Sequence, residues 1–314
     1  MKQLRWLNLA AAVLMTCRAG AEETSYLFSY FTGNGEDGLH LAWSKDGLQW
    51  DALKGGASFL TPTVGGKLMR DPCVLQGPDG TFHMVWTDSW KGTTIGYASS
   101  KDLVTWSEQK SLPVMKEEPT TKNCWAPELA FDAKTKEFTI FWASTIPGKF
   151  PETDFDGKND SNHRIYATRT KDFVAFSPTK LFFDPGFNCI DSTILPHEGR
   201  FVMFFKDETK HPNPMKNLRI ATAESVSGNW QVGEKPVTDP NGWVEGPSAL
   251  KVGNEVFLYF DAYTKHHYAA LKSKDLETWT DVTSQLRMPK GIRHGTAFTV
   301  SRKILEPLLK PVTP

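Results

Sequence analysis

Four cysteines in 314 residues, with no C-x-x-C pair and no H-E-x-x-H run, offer no spacing from which to build a structural or catalytic zinc site. Charge of one sign is not in excess: 36 Lys and Arg meet 36 Asp and Glu, and no basic cluster runs through the chain. Nucleic acid and anionic membrane are therefore not expected partners. Apolar stretches long enough to cross a bilayer are also missing. The longest, Leu7 to Met15, follows Lys2 and Arg5 and precedes Ala19-Gly20-Ala21, the order of a signal peptide. Residues 1–21 are expected to be removed, giving a mature start at Glu22, a periplasmic or secreted location and no membrane association after cleavage. Cleavage leaves Cys73, Cys124 and Cys189, an odd number, so buried free thiols are the expectation.

What the sequence has in quantity is aromatic rings, 12% of residues with 11 Trp. They suit β structure, where most would pack, and they suit stacking on sugar rings. A neutral polyol such as a carbohydrate is the partner that this composition fits.

An internal repeat organises the chain. Ser44-Lys45-Asp46 leads to Trp50, Ser100-Lys101-Asp102 to Trp106, and Ser273-Lys274-Asp275 to Trp279; degenerate copies run from Thr170-Lys171-Asp172 to Phe176 and from Ala223-Glu224-Ser225 to Trp230. Each copy sits in the same frame: an inner strand, a second strand, a loop, a third strand ending at the signature, and a short fourth strand starting from the aromatic. In the second unit these are 71–75, 81–87, 94–99 and 106 onward, with Gly77-Pro78-Asp79-Gly80 as the first hairpin turn. Four antiparallel strands per unit is a propeller blade. The signature itself reads as structural, its Asp fastening a turn and its aromatic packing between blades.

The ends complete the count. The segments 25–31, 39–44 and 50–53 lack an inner strand, and 293–300 is an inner strand without a blade. Pairing them closes the ring and removes its open edges. The expectation is an all-β, five-bladed β-propeller spanning 22–314 as one domain. Strand parity puts the rim loops 32–38, 88–93, 146–163, 207–217 and 263–267 on the face where the inner strands begin.

On that face the inner strands open with Arg70-Asp71-Pro72, Trp125-Ala126-Pro127-Glu128, Ile190-Asp191-Ser192 and Glu245-Gly246-Pro247. Asp71, Asp191 and Glu245 would converge on one funnel. Glycoside hydrolysis needs such a set: a carboxylate to draw a proton from water and a carboxylic acid to protonate the leaving oxygen. A third carboxylate keeps the acid protonated by like-charge repulsion. Asp71 is the candidate for activating water. Arg293 would contact a substrate hydroxyl or balance the acids, and Phe31, Trp90 and Trp125 are candidates for the apolar floor and walls of a sugar pocket.

These openings, with Arg293-His294-Gly295, resemble glycoside hydrolase family 43 across nearly all of the mature chain. The resemblance implies a five-bladed propeller and an inverting glycosidase acting on arabinose-, xylose- or galactofuranose-containing glycans, with α-L-arabinofuranose the first expectation. It implies Asp71 as general base, Asp191 as pKa modulator and Glu245 as general acid. His294 matches a hub histidine that in many members helps hold a cation through water, so a structural calcium is allowed for; no cofactor is required. Ser192 departs from the family's usual proline, and Glu128 reads as structural. A retaining fructan-hydrolase type shares Arg-Asp-Pro, but its Asn-Asp-Pro and Glu-Cys elements are absent. A non-catalytic glycan-binding propeller would use the same pocket, with the acids only as hydrogen-bond acceptors.

Overall fold

Turns decide where this chain reverses, and each repeat is bounded by one. The computed structural model describes residues 24–154 and 161–310. The expected signal peptide lies outside the described residues, as does part of the 146–163 rim loop.

Five four-stranded antiparallel sheets make up the ring. The first blade holds β1 (Thr24–Tyr30), β2 (His40–Ser44) and β3 (Asp51–Ala52); the second β4 (Arg70–Gln76), β5 (Phe82–Thr87), β6 (Ile95–Ser100) and β7 (Lys110–Leu112). The third comprises β8 (Trp125–Asp132), β9 (Glu137–Ser144), β10 (Arg164–Thr170) and β11 (Lys180–Phe183). The fourth has β12 (Cys189–His197), β13 (Arg200–Asp207), β14 (Asn217–Ala223) and β15 (Gln231–Val232); the fifth β16 (Glu245–Val252), β17 (Glu255–Ala262), β18 (His267–Ser273) and β19 (Thr280–Asp281). β20 (Gly295–Ser301) returns to pair with β1, from Tyr30 opposite Gly295 to Thr24 opposite Ser301, and closes the ring. A short helix, α1 (Arg302–Leu308), follows and buries Leu305 and Leu308 against the first blades.

The repeat signature is a turn lock. Asp102 Oδ1 accepts the backbone N–H groups of Val104 and Thr105 at 2.9 and 2.7 Å, and Asp46, Asp172 and Asp275 do the same two and three residues on. The preceding Ser or Thr hydroxyl accepts the N–H of the next residue, Gly47, Leu103, Phe173 or Leu276, which stands at φ +76, +64, +56 or +65°. The lock holds three apolar side chains in the left-handed region, a conformation rare for residues other than Gly, Asn and Asp.

The core is five wedges, one between each pair of neighbouring blades. Trp50 illustrates how the signature aromatic fills a wedge: it is buried edge-on against Phe28 of the first blade and Tyr259 of the fifth. Two expectations need correction. The fourth strands start after the aromatic, by one residue in the first, fourth and fifth blades and by four in the second and third, because the ring must first turn into its wedge. Phe176 does not fill a wedge; it is 38% exposed. Cys73, Cys124 and Cys189 are buried free thiols.

Candidate active site

Four of the five inner strands open on the same irregularity. The pairing register shifts between Arg70 and Cys73, Trp125 and Glu128, Ile190 and Ser192, and Glu245 and Ser248. Inside each shift one residue is left-handed: Asp71 at φ +52°, Ala126 at +45°, Asp191 at +48° and Gly246 at +61°. A bulge re-aims the side chain it contains, and Asp tolerates this φ better than most residues. Asp71 and Asp191 therefore occupy equivalent positions, while Glu245 stands one residue earlier. At Gly246 a Cβ would lie 2.7 Å from the His294 ring, so the glycine makes room for that ring. Ser192, in place of the expected proline, leaves the bulge intact.

His294 stands between the two aspartates. Its Nδ1 is 3.3 Å from Asp71 Oδ1 and 3.9 Å from Asp191 Oδ2. Thr87 Oγ1 donates to Asp71 Oδ2 at 2.7 Å, and the Gly246 N–H donates to Asp191 Oδ2 at 3.1 Å. Burial alone would lower the imidazole, but the two carboxylates raise it to about 9, so His294 is a cation at neutral pH. Burial alone would raise Asp71; the His294 charge and hydrogen bond, Arg70 and Thr87 bring it below the usual carboxylate range. Asp191 goes the other way: burial lifts it and, against the pull of His294, Glu245 and Asp71 help keep it at about 6. Two aspartates in equivalent bulges are thus pushed apart, the pattern that separates acid from base roles in a carboxylate site.

Glu245 faces different company. Lys206 Nζ, at the end of β13, is 3.0 Å from its Oε2, and Arg293 Nη2 is 3.6 Å from its Oε1. Arg293 also donates from Nε to Asp261 Oδ2 at 3.1 Å. Lys206 reaches Glu208 Oε2 at 2.8 Å as well, and Glu208 in turn pairs with Lys216. Burial would lower the Lys206 ammonium, yet Glu208, Glu245 and Asp191 hold it above the usual lysine range. Sequence reasoning missed Lys206, Glu208, Lys216 and Asp261. The signal for the first two was Lys206-Asp207-Glu208 directly after the apolar run Phe201 to Phe205, a charged triplet where a strand reaches the rim.

The aromatic candidates divide. Trp90 is 47% exposed and stacks edge-on with Trp125, centroids 5.9 Å apart; Trp125 Nε1 donates to the Trp90 carbonyl. Phe31 has no exposed surface. It lies under the Arg70 and Arg293 guanidinium groups, 4.6 and 5.7 Å from its centroid, and so backs the arginines instead of lining the pocket. Trp90 covers Arg70 from the other side at 4.1 Å. Beside Arg293 a cavity of about 680 Å³ opens, walled by Asp261, Tyr263, Tyr268, Leu286 and residues 288–293.

Below the acids the hub is plugged by Glu128, whose Oε1 and Oε2 accept the hydroxyls of Thr296 and Thr193 at 2.8 and 2.9 Å; burial raises it to about 7. A hub calcium fits these residues poorly. The Glu128 oxygens are already taken by hydroxyls, His294 is turned to the aspartates, and among the described residues no three His, Cys, Asp or Glu are arranged to hold a metal ion. The imidazolium supplies the positive charge at this position.

A ring of five blades whose inner strands deliver carboxylates to one end of the hub is the architecture of a propeller glycosidase. A sequence-family model described as a probable glycosyl hydrolase domain matches residues 22–306, and the chain belongs to that family, which is related to glycoside hydrolase family 43. It is similar to an α-L-arabinofuranosidase of Bifidobacterium longum subsp. longum, 22% identical over 284 residues, covering 75% of this chain. The chain spans about a quarter, 26%, of that relative's length. Among solved structures, the α-L-arabinofuranosidase of Lactobacillus brevis superposes with a TM-score of 0.54 at 17% identity, over 68% of this chain and 72% of that one. An exo-β-1,3-galactanase of Clostridium thermocellum gives 0.53 at 15% identity, over 70% and 50%. These structural likenesses share the fold.

Proposed function

We propose that the chain is an exported, inverting exo-glycoside hydrolase that releases a terminal sugar, α-L-arabinofuranose first among the candidates, from plant-type or microbial glycans. The observation that carries this reading is the meeting of Asp71, Asp191 and Glu245 at one end of the hub, with Asp71 held low and Asp191 raised by their different surroundings.

Asp71, ionised and steadied by His294 and Thr87, is the base that takes a proton from the attacking water. Glu245 is the acid that protonates the leaving oxygen, with Arg293 standing between it and the cavity walled by Asp261 and Tyr263. Asp191 accepts the Gly246 N–H, which fixes the opening of β16 and so the place of Glu245, while its raised pKa lets it carry a shared proton near neutral pH. Inversion asks that base and acid stand about 6.5–9.5 Å apart, leaving room for the water. Trp90 and Trp125 offer ring surface for a sugar face.

The test is hydrolysis of aryl glycosides and oligosaccharides of arabinofuranose, xylopyranose and galactofuranose, with proton NMR catching the first anomer and Glu245→Ala as blank. One monosaccharide released with inverted configuration supports the reading and selects among α-L-arabinofuranosidase, β-xylosidase and β-galactofuranosidase. Retention would point to a covalent intermediate, and tight binding without turnover to a glycan-binding propeller. Export rests on residues 1–21; amino-terminal sequencing of secreted protein should begin at Glu22.

A further inference from the structure

Lys206 is a buried ammonium, its side chain 3% exposed, shared between two carboxylates: Glu208 Oε2 at 2.8 Å and Glu245 Oε2 at 3.0 Å. Burying an ammonium is costly unless partners replace its water, and one good partner with surrounding hydrogen bonds does most of that. Glu208 is such a partner, and it is itself fixed: Lys216 pairs with its other oxygen, and its N–H donates to the Asn188 carbonyl at 2.8 Å. The backbone repeats the link, because the Val244 N–H donates to the Lys216 carbonyl at 3.0 Å, one residue before Glu245. The location of the Lys206 charge is therefore set by the fourth blade, and it is presented to a carboxyl of the fifth.

We propose that Lys206, held by Glu208 and Lys216, is the positioning residue for Glu245: it fixes where that carboxyl stands and governs how readily it keeps its proton. The inference rests on the reading of Glu245 as the acid. Other charged or titratable groups act on Glu245 from every side: Arg293 from the segment before β20, Asp261 of β17 through Arg293, Asp191 of β12, Arg70 of β4, and Tyr263 and Tyr268 at the rim. Among these Lys206 is the closest cation, and its second partner lets its pull on Glu245 be tuned in either direction. Removing the Lys206 charge favours the protonated acid; removing the competing Glu208 charge turns Lys206 wholly toward Glu245 and favours the carboxylate.

The experiment is the pH dependence of kcat/KM for Lys206→Met, Lys206→Arg and Glu208→Gln, with Glu245→Gln alongside. The substrate is 4-nitrophenyl α-L-arabinofuranoside, or whichever aryl glycoside the panel selects, together with its 2,4-dinitrophenyl analogue. The basic limb should move up by about one pH unit in Lys206→Met and down in Glu208→Gln, and stay near wild type in Lys206→Arg. The Lys206→Met loss, about 10- to 100-fold on the poorer leaving group, should shrink on the dinitrophenyl substrate, which needs little protonation. Both limbs staying in place while melting temperatures fall would overturn the proposal and leave Lys206 as a blade-to-blade clamp. Should Lys206→Met fail to fold, the direction of the Glu208→Gln limb decides alone. Full activity in Glu245→Gln on the poor leaving group would instead remove the acid assignment, so the two failures are told apart.

Discussion

Aspartates sit at the two opposite ends of the blades, Asp71 and Asp191 at the hub and Asp46, Asp102, Asp172 and Asp275 at the far turns, and their surroundings make them different groups. At the far end, Asp275 accepts two backbone amides and the Ser273 hydroxyl in water, which hold it down at about 2. At the hub, Asp191 is buried beside Glu245 and Asp71 and reaches about 6. A carboxylate whose charge is answered by fixed amides locks a turn. One whose charge is answered by other titratable groups exchanges protons with them. The louder repeat in the sequence, Ser-Lys-Asp, is the structural one; the chemistry lies at the quieter end.

The largest effects that could break this contrast are on turnover. Asp71→Asn and Glu245→Gln should each lower kcat/KM on a poor leaving group by about 10³-fold or more, with melting temperatures within a few degrees of wild type. Substituting the turn aspartate Asp102 should leave kcat/KM within about twofold, since it lies at the opposite end of the blade. A turn variant as inactive as a hub variant would mean that the two ends are coupled through the sheet.

The next effect is on stability against pH. His294 titrates near 9 when folded and near 6.5 when unfolded, so its contribution is fully present below about pH 6.5 and is lost as pH rises through 9. The difference corresponds to at most about 3 kcal/mol. Asp191, also raised, adds stability below its unfolded value near 4 and loses it as pH passes 6. Urea denaturation should therefore show stability declining from pH 6.5 to 9.5 in the wild type and a much flatter profile in His294→Gln. An equal decline in both proteins would assign that slope to another group.

What was legible in the chain follows from this contrast. Turn signatures repeat, so five copies, four with the Asp lock and one without it, counted the blades, and the bulge openings repeat, so Asp71, Asp191 and Glu245 could be placed at one face. The partners of those acids do not repeat. Lys206, Glu208 and Lys216 occur in one blade only, and nothing in a strand pattern says that a lysine following Phe205 will turn toward the next blade. The sequence makes Phe31 a candidate for the apolar floor or wall of the pocket, and the structure puts it beneath two guanidinium groups instead. Two arginines, Arg70 and Arg293, from different blades cover it, and their meeting is a property of ring closure. The length of the fourth strands and the helix after β20 were likewise set by how the wedges fill.

A moderate effect sharpens the turn side of the comparison. Asp102→Ala removes two amide hydrogen bonds that hold Leu103 at φ +64°, at a cost of about 1 kcal/mol in an exposed setting, which lowers the melting temperature by about 2 °C in a chain of this size. Asp46→Ala should lose less, because the residue after Asp46 is already Gly47, which adopts that conformation without the lock. Calorimetry of the two variants measures both.

The smallest effect concerns the aromatic rim, where Trp90 and Phe31 flank the same guanidinium of Arg70 but only Trp90 meets solvent. If the exposed indole face carries a sugar, Trp90→Ala should raise KM by about 2- to 10-fold with kcat nearly unchanged, the size of one ring contact of about 0.5–1.5 kcal/mol. Trp90→Phe should stay near wild type, since it keeps a ring over Arg70. Phe31→Leu should act differently, lowering the melting temperature with little change in KM, because the ring it removes is buried beneath both arginines. Initial-rate kinetics and thermal melts on the three variants separate the roles: a rise in KM for Phe31→Leu and none for Trp90→Ala would put the sugar on the other side of Arg70.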